Sequence, residues 1–361
     1  MARIVVHSSP LDFLQAIAPV AGADSNLTNH LVGFVFERWL RAATAPIAPN
    51  ADAILKPDEE KEILVTVWEG DELRLMFSKL DWAQCKIVSP LPPSCLAELA
   101  VPLLPQLVSH LLTLSPLSTA PHLLRSIAGP QLLVDALLSL WPHPSKPEPS
   151  MWMLPASTTT PPPPISFPPG HSIERIRDIH QITPSELEAI AHLQIAFFHN
   201  HDTAPKLSLE EAIAYLYKAV PFSGMWVYRA PPSPSTDGSP SPSVPVGFVT
   251  TGRPTLRTVA IRGVFVSPSH RRQGIAGRAV AAVTRAHLVD APALPLDYSQ
   301  PPLANEAPED GATKWGGKKE ICLFVEPDNP VARGVYGKIG FVESENVWCD
   351  ADLEGIEPGH W

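Results

Sequence analysis

The chain has 361 residues, a formal net charge of −10, 45% hydrophobic residues, 43 prolines and four cysteines. The length suggests two domains, or one with long insertions, and the hydrophobic content suffices for sizeable cores. The acidic balance argues against general nucleic-acid binding; the cysteines (85, 95, 322 and 349) form no CxxC pair, and no apolar run approaches the ~20 residues of a membrane-spanning helix.

The N-terminal run Met1 to His7 lacks a signal-peptide core. A cytoplasmic chain is therefore expected, with the nucleus as the alternative. Helices are expected over Ser9 to Ile17 and Asn26 to Ala43. Ile63 to Trp68 and Glu72 to Phe77 flank Glu69-Gly70-Asp71 as a hairpin. A strand over Lys86 to Ser89 precedes Pro90, and apolar helices follow over Ser94 to Leu114 and His122 to Leu140. Residues 142 to 169 hold eleven prolines, which favour extended geometry and exclude helix or inner strand. The chain thus divides into an N-terminal α/β domain (1–141), a Pro-rich linker (142–170) and a second domain (171–361). The Met151-Trp152-Met153-Leu154 run can still be a strand of the first half.

In the second domain, His171 to Arg177 reads as a short strand. Thr183-Pro184-Ser185-Glu186 and Ser208-Leu209-Glu210-Glu211 each open a helix with capping-box chemistry, to Phe198 and Val220 respectively. Met225 to Arg229 and Val246 to Thr250 are strands around a Pro/Ser loop (231–245). Thr258 to Val266 is a third strand, and a helix runs from Gly274 to Leu288. A polar insertion, Asp290 to Lys319, precedes an apolar strand, Ile321 to Val325. Pro330 starts a helix capped by Asp328 or Asn329 and closed by Gly340, and Phe341 to Cys349 is a last strand. The three Pro-rich segments are read as surface loops rather than lids.

One window stands out chemically. Thr251 to Val289 holds seven arginines (253, 257, 262, 271, 272, 278 and 285) and no acid. Within it, Arg271-Arg272-Gln273-Gly274-Ile275-Ala276 joins a strand to a helix, so outward amides, helix dipole and guanidinium groups combine as an anion site. Arg253, Arg257 and Arg285 are read as surface residues that only add to the field.

Two segments carry a family resemblance. Val266-Ser267-Pro268-Ser269-His270-Arg271-Arg272-Gln273-Gly274-Ile275-Ala276 resembles the strand, pyrophosphate loop and helix of the GNAT superfamily of N-acetyltransferases. Asn329-Pro330-Val331-Ala332-Arg333-Gly334-Val335-Tyr336-Gly337-Lys338-Ile339-Gly340-Phe341 resembles that family's second acetyl-CoA-binding element. The resemblance covers about residues 171 to 350. It implies an α/β fold with a mixed, mostly antiparallel sheet flanked by helices. It also implies an acetyl-CoA-dependent acyltransferase with a free-amine acceptor, small molecule or peptide.

On that resemblance the amides of Gln273, Gly274, Ile275, Ala276 and Gly277 cradle the pyrophosphate, and Arg271 and Arg272 supply charge. The pantetheine arm runs along the main chain at Val264 and Val266, with Asn329 nearby. Tyr336 is the general acid on the thiolate. The family's acid on this strand is missing, Arg262 standing there instead. Glu326 is the nearest candidate base, while His270 reads as a turn residue and Lys338 as a solvated or field charge.

His199-Asn200-His201-Asp202 is not read as a metal set, and no metal is expected. On the same resemblance, Phe198, His199 and Asp202 are expected to line the acceptor pocket, because the segment between the first two helices borders it in that family. The order of the first half parallels the second, and Val88-Ser89-Pro90 matches Val266-Ser267-Pro268, so a degenerate unit of the same kind is expected. Its Leu91-Pro92-Pro93-Ser94-Cys95-Leu96 loop has neither arginine nor glycine and should not bind coenzyme A. An inactive acyl-CoA-binding sensor is the alternative function; a monomer or homodimer without nucleic-acid or membrane partners completes the expectation.

Overall fold

The computed structural model describes residues 2–44, 62–80, 84–199, 206–220, 224–231, 243–289, 298 and 317–355. Most of the Pro/Ser loop, most of the Asp290–Lys319 insertion, and His201 and Asp202 lie outside them.

The first half runs β1 (Arg3–His7), α1 (Pro10–Ile17), α2 (Asn29–Thr44), β2 (Ile63–Glu69), β3 (Glu72–Lys79), β4 (Cys85–Val88), α3 (Leu104–Leu111), β5 (Ser126–Pro130), α4 (Gln131–Leu140) and β6 (Met151–Thr158). The second runs β7 (Ser172–Ile176), α5 (Pro184–His199), α6 (Leu209–Ala219), β8 (Gly224–Ala230), β9 (Val244–Gly252), β10 (Thr258–Val266), α7 (Ile275–Leu288), β11 (Glu320–Val325), α8 (Pro330–Ile339), β12 (Val342–Glu343) and β13 (Trp348–Asp352). Element for element these are one plan used twice. β1 to β4 and β7 to β10 are antiparallel ladders, and each is followed by one parallel pair, β4–β5 and β10–β11.

The halves exchange their last strands. β5 is flanked by β13 from the far end of the chain, and β11 by β6 from the first half. β6 and β13 then pair with each other, Trp348 opposite Met153 and Asp350 opposite Met151. The result is one thirteen-stranded sheet among the described residues, ordered β1-β2-β3-β4-β5-β13-β6-β11-β10-β9-β8-β7, with β12 also on β6. The fold is mixed α/β and mostly antiparallel, as expected, and both halves follow the same order of elements. The Met151–Leu154 run allowed as a strand is the start of β6, so the Pro-rich stretch does contain an inner strand, at the centre of this sheet and with Pro155 within it, contrary to the expectation.

Several element readings are corrected. The helix expected over Ser94 to Leu114 breaks into a 3-10 turn (Pro93–Cys95), a π turn (Leu96–Ala100), a second 3-10 turn (Val101–Leu103) and α3. Pro93, Pro102 and Pro105 remove amide donors and force these changes of pitch. Pro93–Leu111 has the length (19 residues) and mean hydropathy (1.2) of a membrane span, contrary to the reading that no such run exists. Here Leu96, Leu104, Leu107 and Leu111 pack into the core.

His122 to Leu140 is not one helix: β5 occupies Ser126–Pro130, buried throughout, and its continuous apolar pattern carries no period to reveal a strand. β1 was not anticipated. The last strand divides in two because Ser344 to Val347 carry the chain from one half to the other.

Polar contacts lock the halves as well. The loop between α1 and α2 inserts Asp24, which accepts hydrogen bonds from Thr255 Oγ1 (2.6 Å), the Arg257 amide (3.2 Å) and Tyr298 Oη (3.3 Å). Burial raises the Asp24 pKa and lowers that of the neighbouring Lys318 to about 7. Arg253, expected at the surface, is 6% exposed and has φ 51°, a left-handed conformation costly for arginine. Glu37 Oε1 takes its amide (2.5 Å) and Asn29 Nδ2 donates to its carbonyl (2.9 Å), which fixes that conformation.

Gly33, inside α2, permits this approach: a Cβ there would lie 2.5 Å from Arg253 Cβ and 2.7 Å from its carbonyl oxygen. Gly33→Ala should therefore destabilise the chain by about 1–3 kcal/mol in urea unfolding. An isolated helix would instead gain about 1 kcal/mol from the same change, so the sign separates the clash from helix propensity.

Candidate functional site

The two parallel strands of the second half separate partway along. β10 and β11 pair from Thr258↔Glu320 to Ile261↔Leu323 and no further. Beyond that point β11 stays with β6 and β10 with β9, so a wedge opens between them. A bulge at Arg262 shifts the β9–β10 register at the same place and turns β10 away.

The phase of that ladder tells which groups face the wedge. Ser267 donates its amide to the Val246 carbonyl across β9 (2.8 Å). In an antiparallel ladder the bonded residues alternate, so Ser267, Phe265 and Gly263 bond toward β9. The amides and carbonyls of Val264 and Val266 therefore point into the wedge, where no strand meets them. The Val266 carbonyl already accepts from Arg271 Nε (3.1 Å).

The wedge ends against the first turn of α7. A 3-10 turn, Pro268–His270, leads in, with Ser267 Oγ and Ser269 Oγ each 2.9 Å from His270 Nδ1. Arg272 (φ 65°) and Gly274 (φ 73°) are both left-handed, which folds successive amides around a common concavity. The first intrahelical bond of α7 is Arg278 N–H to the Gly274 carbonyl (3.1 Å), so the amides of Ile275, Ala276 and Gly277 precede it and are free of the helix ladder. Arg278 Nη1 folds back onto the Gln273 carbonyl (2.7 Å) and braces the loop. Arg271, Arg272, Gln273 and Gly274 are exposed, with the Arg271 guanidinium 5.8 Å from the Phe265 ring.

α8 packs beside α7. Tyr336 is half-buried at the edge of the core that also borders Val264 and Val266, and its ring lies 6.0 Å from Phe341. Burial raises its pKa to about 12. Gly340 closes α8 in the left-handed conformation (φ 106°), as the sequence suggested. Asn329 Oδ1 accepts the Ala332 amide (3.1 Å), so its side chain is committed to the helix cap. Glu326 and Lys338 are exposed, Glu326 on the turn between β11 and α8. The predicted cofactor residues 264, 266 and 271 to 277 thus gather along one wedge, with Tyr336 on the helix beside it.

Among the described residues, the corresponding strands of the first half pair at Cys85↔Ile127 and Lys86↔Ala128 and stay close beyond that point. Gly129 of β5 sits so close to β4 that a Cβ would be 2.2 Å from the Ile87 carbonyl oxygen, which keeps the strands together where β10 and β11 part. The turns that follow β4 carry neither left-handed glycine nor arginine.

The opposite side of the wedge holds residues that sequence reasoning missed. Arg262 and Phe324 are the first residues beyond the last β10–β11 pair. Phe324, Trp348 and His30 form a cluster, with ring centroids 5.0–5.2 Å apart, and His30 is also 5.6 Å from Phe34. They come from α2, β11 and β13, and no sequence spacing links them. Phe197, at the end of α5, approaches Gly263, whose missing Cβ would lie 3.3 Å from Phe197 Cζ. Phe198 packs on Tyr215 (5.6 Å), and His199 is exposed beside them.

Residues 190–289 match the model of the acetyltransferase (GNAT) family. That segment includes the first of the two resembling motifs. A crystal structure of a Drosophila protein is similar over 99% of both chains, at 13% identity and a TM-score of 0.53, which concerns the fold alone. A GCN5-related N-acetyltransferase from Sphaerobacter thermophilus is similar over 99% of this chain and 97% of its own, at 14% identity and a TM-score of 0.44. A tandem GNAT protein from the clavulanic acid biosynthesis pathway covers 97% of this chain and 98% of its own, at 11% identity and a TM-score of 0.41. No curated protein matches the chain.

Asn329→Ala should cost about 1 kcal/mol in thermal unfolding by removing the α8 cap, and Asn329→Asp should restore most of it.

Proposed function

We propose that the chain transfers an acetyl group from acetyl-CoA to a free amine at the β10–β11 wedge. The observation that carries the reading is the convergence of the wedge with the left-handed loop at Arg272 and Gly274. A thioester arm lies along the main-chain groups of Val264 and Val266 that face the wedge, the Val266 carbonyl already accepting from Arg271 Nε. Its pyrophosphate meets the amides of Gln273 to Gly277 and the charges of Arg271 and Arg272.

The amine attacks the thioester carbonyl, forming the N–C bond and a tetrahedral oxyanion. Collapse breaks the C–S bond, and the thiolate takes a proton from Tyr336 Oη. The surplus proton of the new amide nitrogen is lost to solvent and returns the phenolate to neutrality. A phenol held at about 12 remains protonated throughout the working pH range and is available as the acid. Glu326 fits the base role poorly, being exposed on the turn beyond β11.

Isothermal titration should show acetyl-CoA binding, weakened at least about tenfold by Arg271→Ala with Arg272→Ala, since each charged hydrogen bond contributes about 1.5–3 kcal/mol. Unaltered binding removes the loop from the site. Tyr336→Phe should lower kcat about a hundredfold while leaving acetyl-CoA affinity in place. The wild-type rate should show no alkaline loss from this tyrosine below about pH 11, because an acid with pKa about 12 is lost only as pH rises through that value. Acetyl-CoA binding with no thiol release on any amine would favour the sensor reading.

A further inference from the structure

The mouth of the wedge, opposite α7, is walled by both halves of the chain. The second half supplies Arg262 and Phe324, and the exchanged strand β13 supplies Trp348 and Asp350. The first half supplies His30 and Phe34 from α2 and Lys86 from β4. The sheet register brings β4 and β13 together: Lys86 and Asp350 both oppose Ala128 on β5.

The charge of this cleft is unusual for an acidic chain. Lys86, 2% exposed, donates one Nζ hydrogen bond to the Gln84 carbonyl (2.8 Å) and lies 4.3 Å from the Phe34 centroid, with the Arg262 guanidinium 5.9 Å from the same ring. The Arg253 guanidinium is 5.1 Å from the Phe324 ring. The aromatic faces are thus already occupied by the chain's own cations. Of the two acids nearby, Glu37 accepts the Arg253 amide. Burial raises the Asp350 pKa, while Gln84 and Lys86 beside it oppose that shift. The field shows on His30, driven well below its ordinary pKa first by burial and then by Arg253, Lys86 and Arg262.

Two buried polar atoms of the cleft, Trp348 Nε1 and His30 Nδ1, have no hydrogen-bond partner among the described residues. Trp348 is 3% exposed, and an indole N–H can only donate. Cations and an unused donor together call for an acceptor atom with negative charge.

We infer that the amine acceptor carries a carboxylate, bound in the cleft between the halves by Lys86 and Arg262, with the Trp348 indole N–H donating to it. This rests on the acetyltransferase reading above and specifies its second substrate. The same cations also address the missing base. Positive charge beside an ammonium lowers its pKa, so the acceptor enters as the free amine without a carboxylate on β10 to take its proton. A polycationic acceptor is repelled by the same arrangement. The degenerate half thereby has a role in specificity: it is the wall that reads the acceptor.

The test is thiol release from acetyl-CoA with glycine, β-alanine and phenylalanine, each beside its carboxamide, and with spermidine as a cationic arm. At least one free acid should exceed its carboxamide tenfold or more in kcat/KM, although the carboxamide has the more readily deprotonated amine. Arg262→Met and Lys86→Met should each raise KM for that acid about tenfold, leaving KM for the carboxamide and the affinity for acetyl-CoA unchanged. Arg262 is exposed, so its variant keeps the test open should Lys86→Met fail to fold. Equal or better turnover of carboxamides or spermidine, unchanged KM in both variants, or no turnover of any acid by a chain that binds acetyl-CoA overturns the assignment. Failure to bind acetyl-CoA at all strikes the acetyltransferase reading itself, and this inference with it.

Discussion

The antiparallel pairing of β6 with β13 is the contact on which the rest of the molecule depends. Each strand leaves its own half and completes the sheet of the other, next to β11 and β5 respectively. Without the exchange, β5 and β11 would each present an unpaired edge, and unpaired buried amides and carbonyls are costly. The pairing also sets the relative placement of the halves. Trp348 stands at this junction and contributes to the core that α1 and α2 build against the first half. The Asp24 loop and the Arg253 turn then register one half on the other through directional hydrogen bonds.

One plan used twice has produced two different outcomes at the same place. In the second half a bulge at Arg262 and a register that ends at Ile261 release β10 from β11. In the first, Gly129 lets the corresponding strands stay in contact, and the helix that would end the wedge is broken by Pro93, Pro102 and Pro105. The difference lies in a few backbone positions rather than in overall architecture. A wedge needs strands that part and amides that converge, and among the described residues only the second half has both.

Much of this was legible in the sequence where the signal is local. Ser208 and Glu211 do form the reciprocal cap, Thr258–Val266 is the strand expected, and Gly274 and Gly340 adopt the left-handed geometry that their positions required. β5 was hidden because a strand buried on both faces has no alternation, and its apolar run merges with the helix that follows. The strand exchange was hidden because nothing local in Met151–Thr158 or Trp348–Asp352 names a distant partner. Arg253 looked like a surface charge for the same reason: its partners, Glu37 and Asn29, are more than two hundred residues away.

The proposed acceptor side of the wedge belongs to that second, illegible class. A phosphate loop is read from consecutive residues because backbone amides do the binding, and consecutive amides converge only in a few loop conformations. A pocket for a variable substrate is built from side chains on separate elements, here α2, β4, β10, β11 and β13. Its residues carry no common spacing and emerge only once the sheet order is known. On the proposed function, the cofactor half of the chemistry is therefore written in motifs, and the acceptor half in tertiary structure. The exchange of β6 and β13 joins the two: by bringing the degenerate half across the mouth of the wedge, it places Lys86 and His30 within the field of Arg262. On the proposed acceptor site, a half without a slot of its own still acts on what reaches the other.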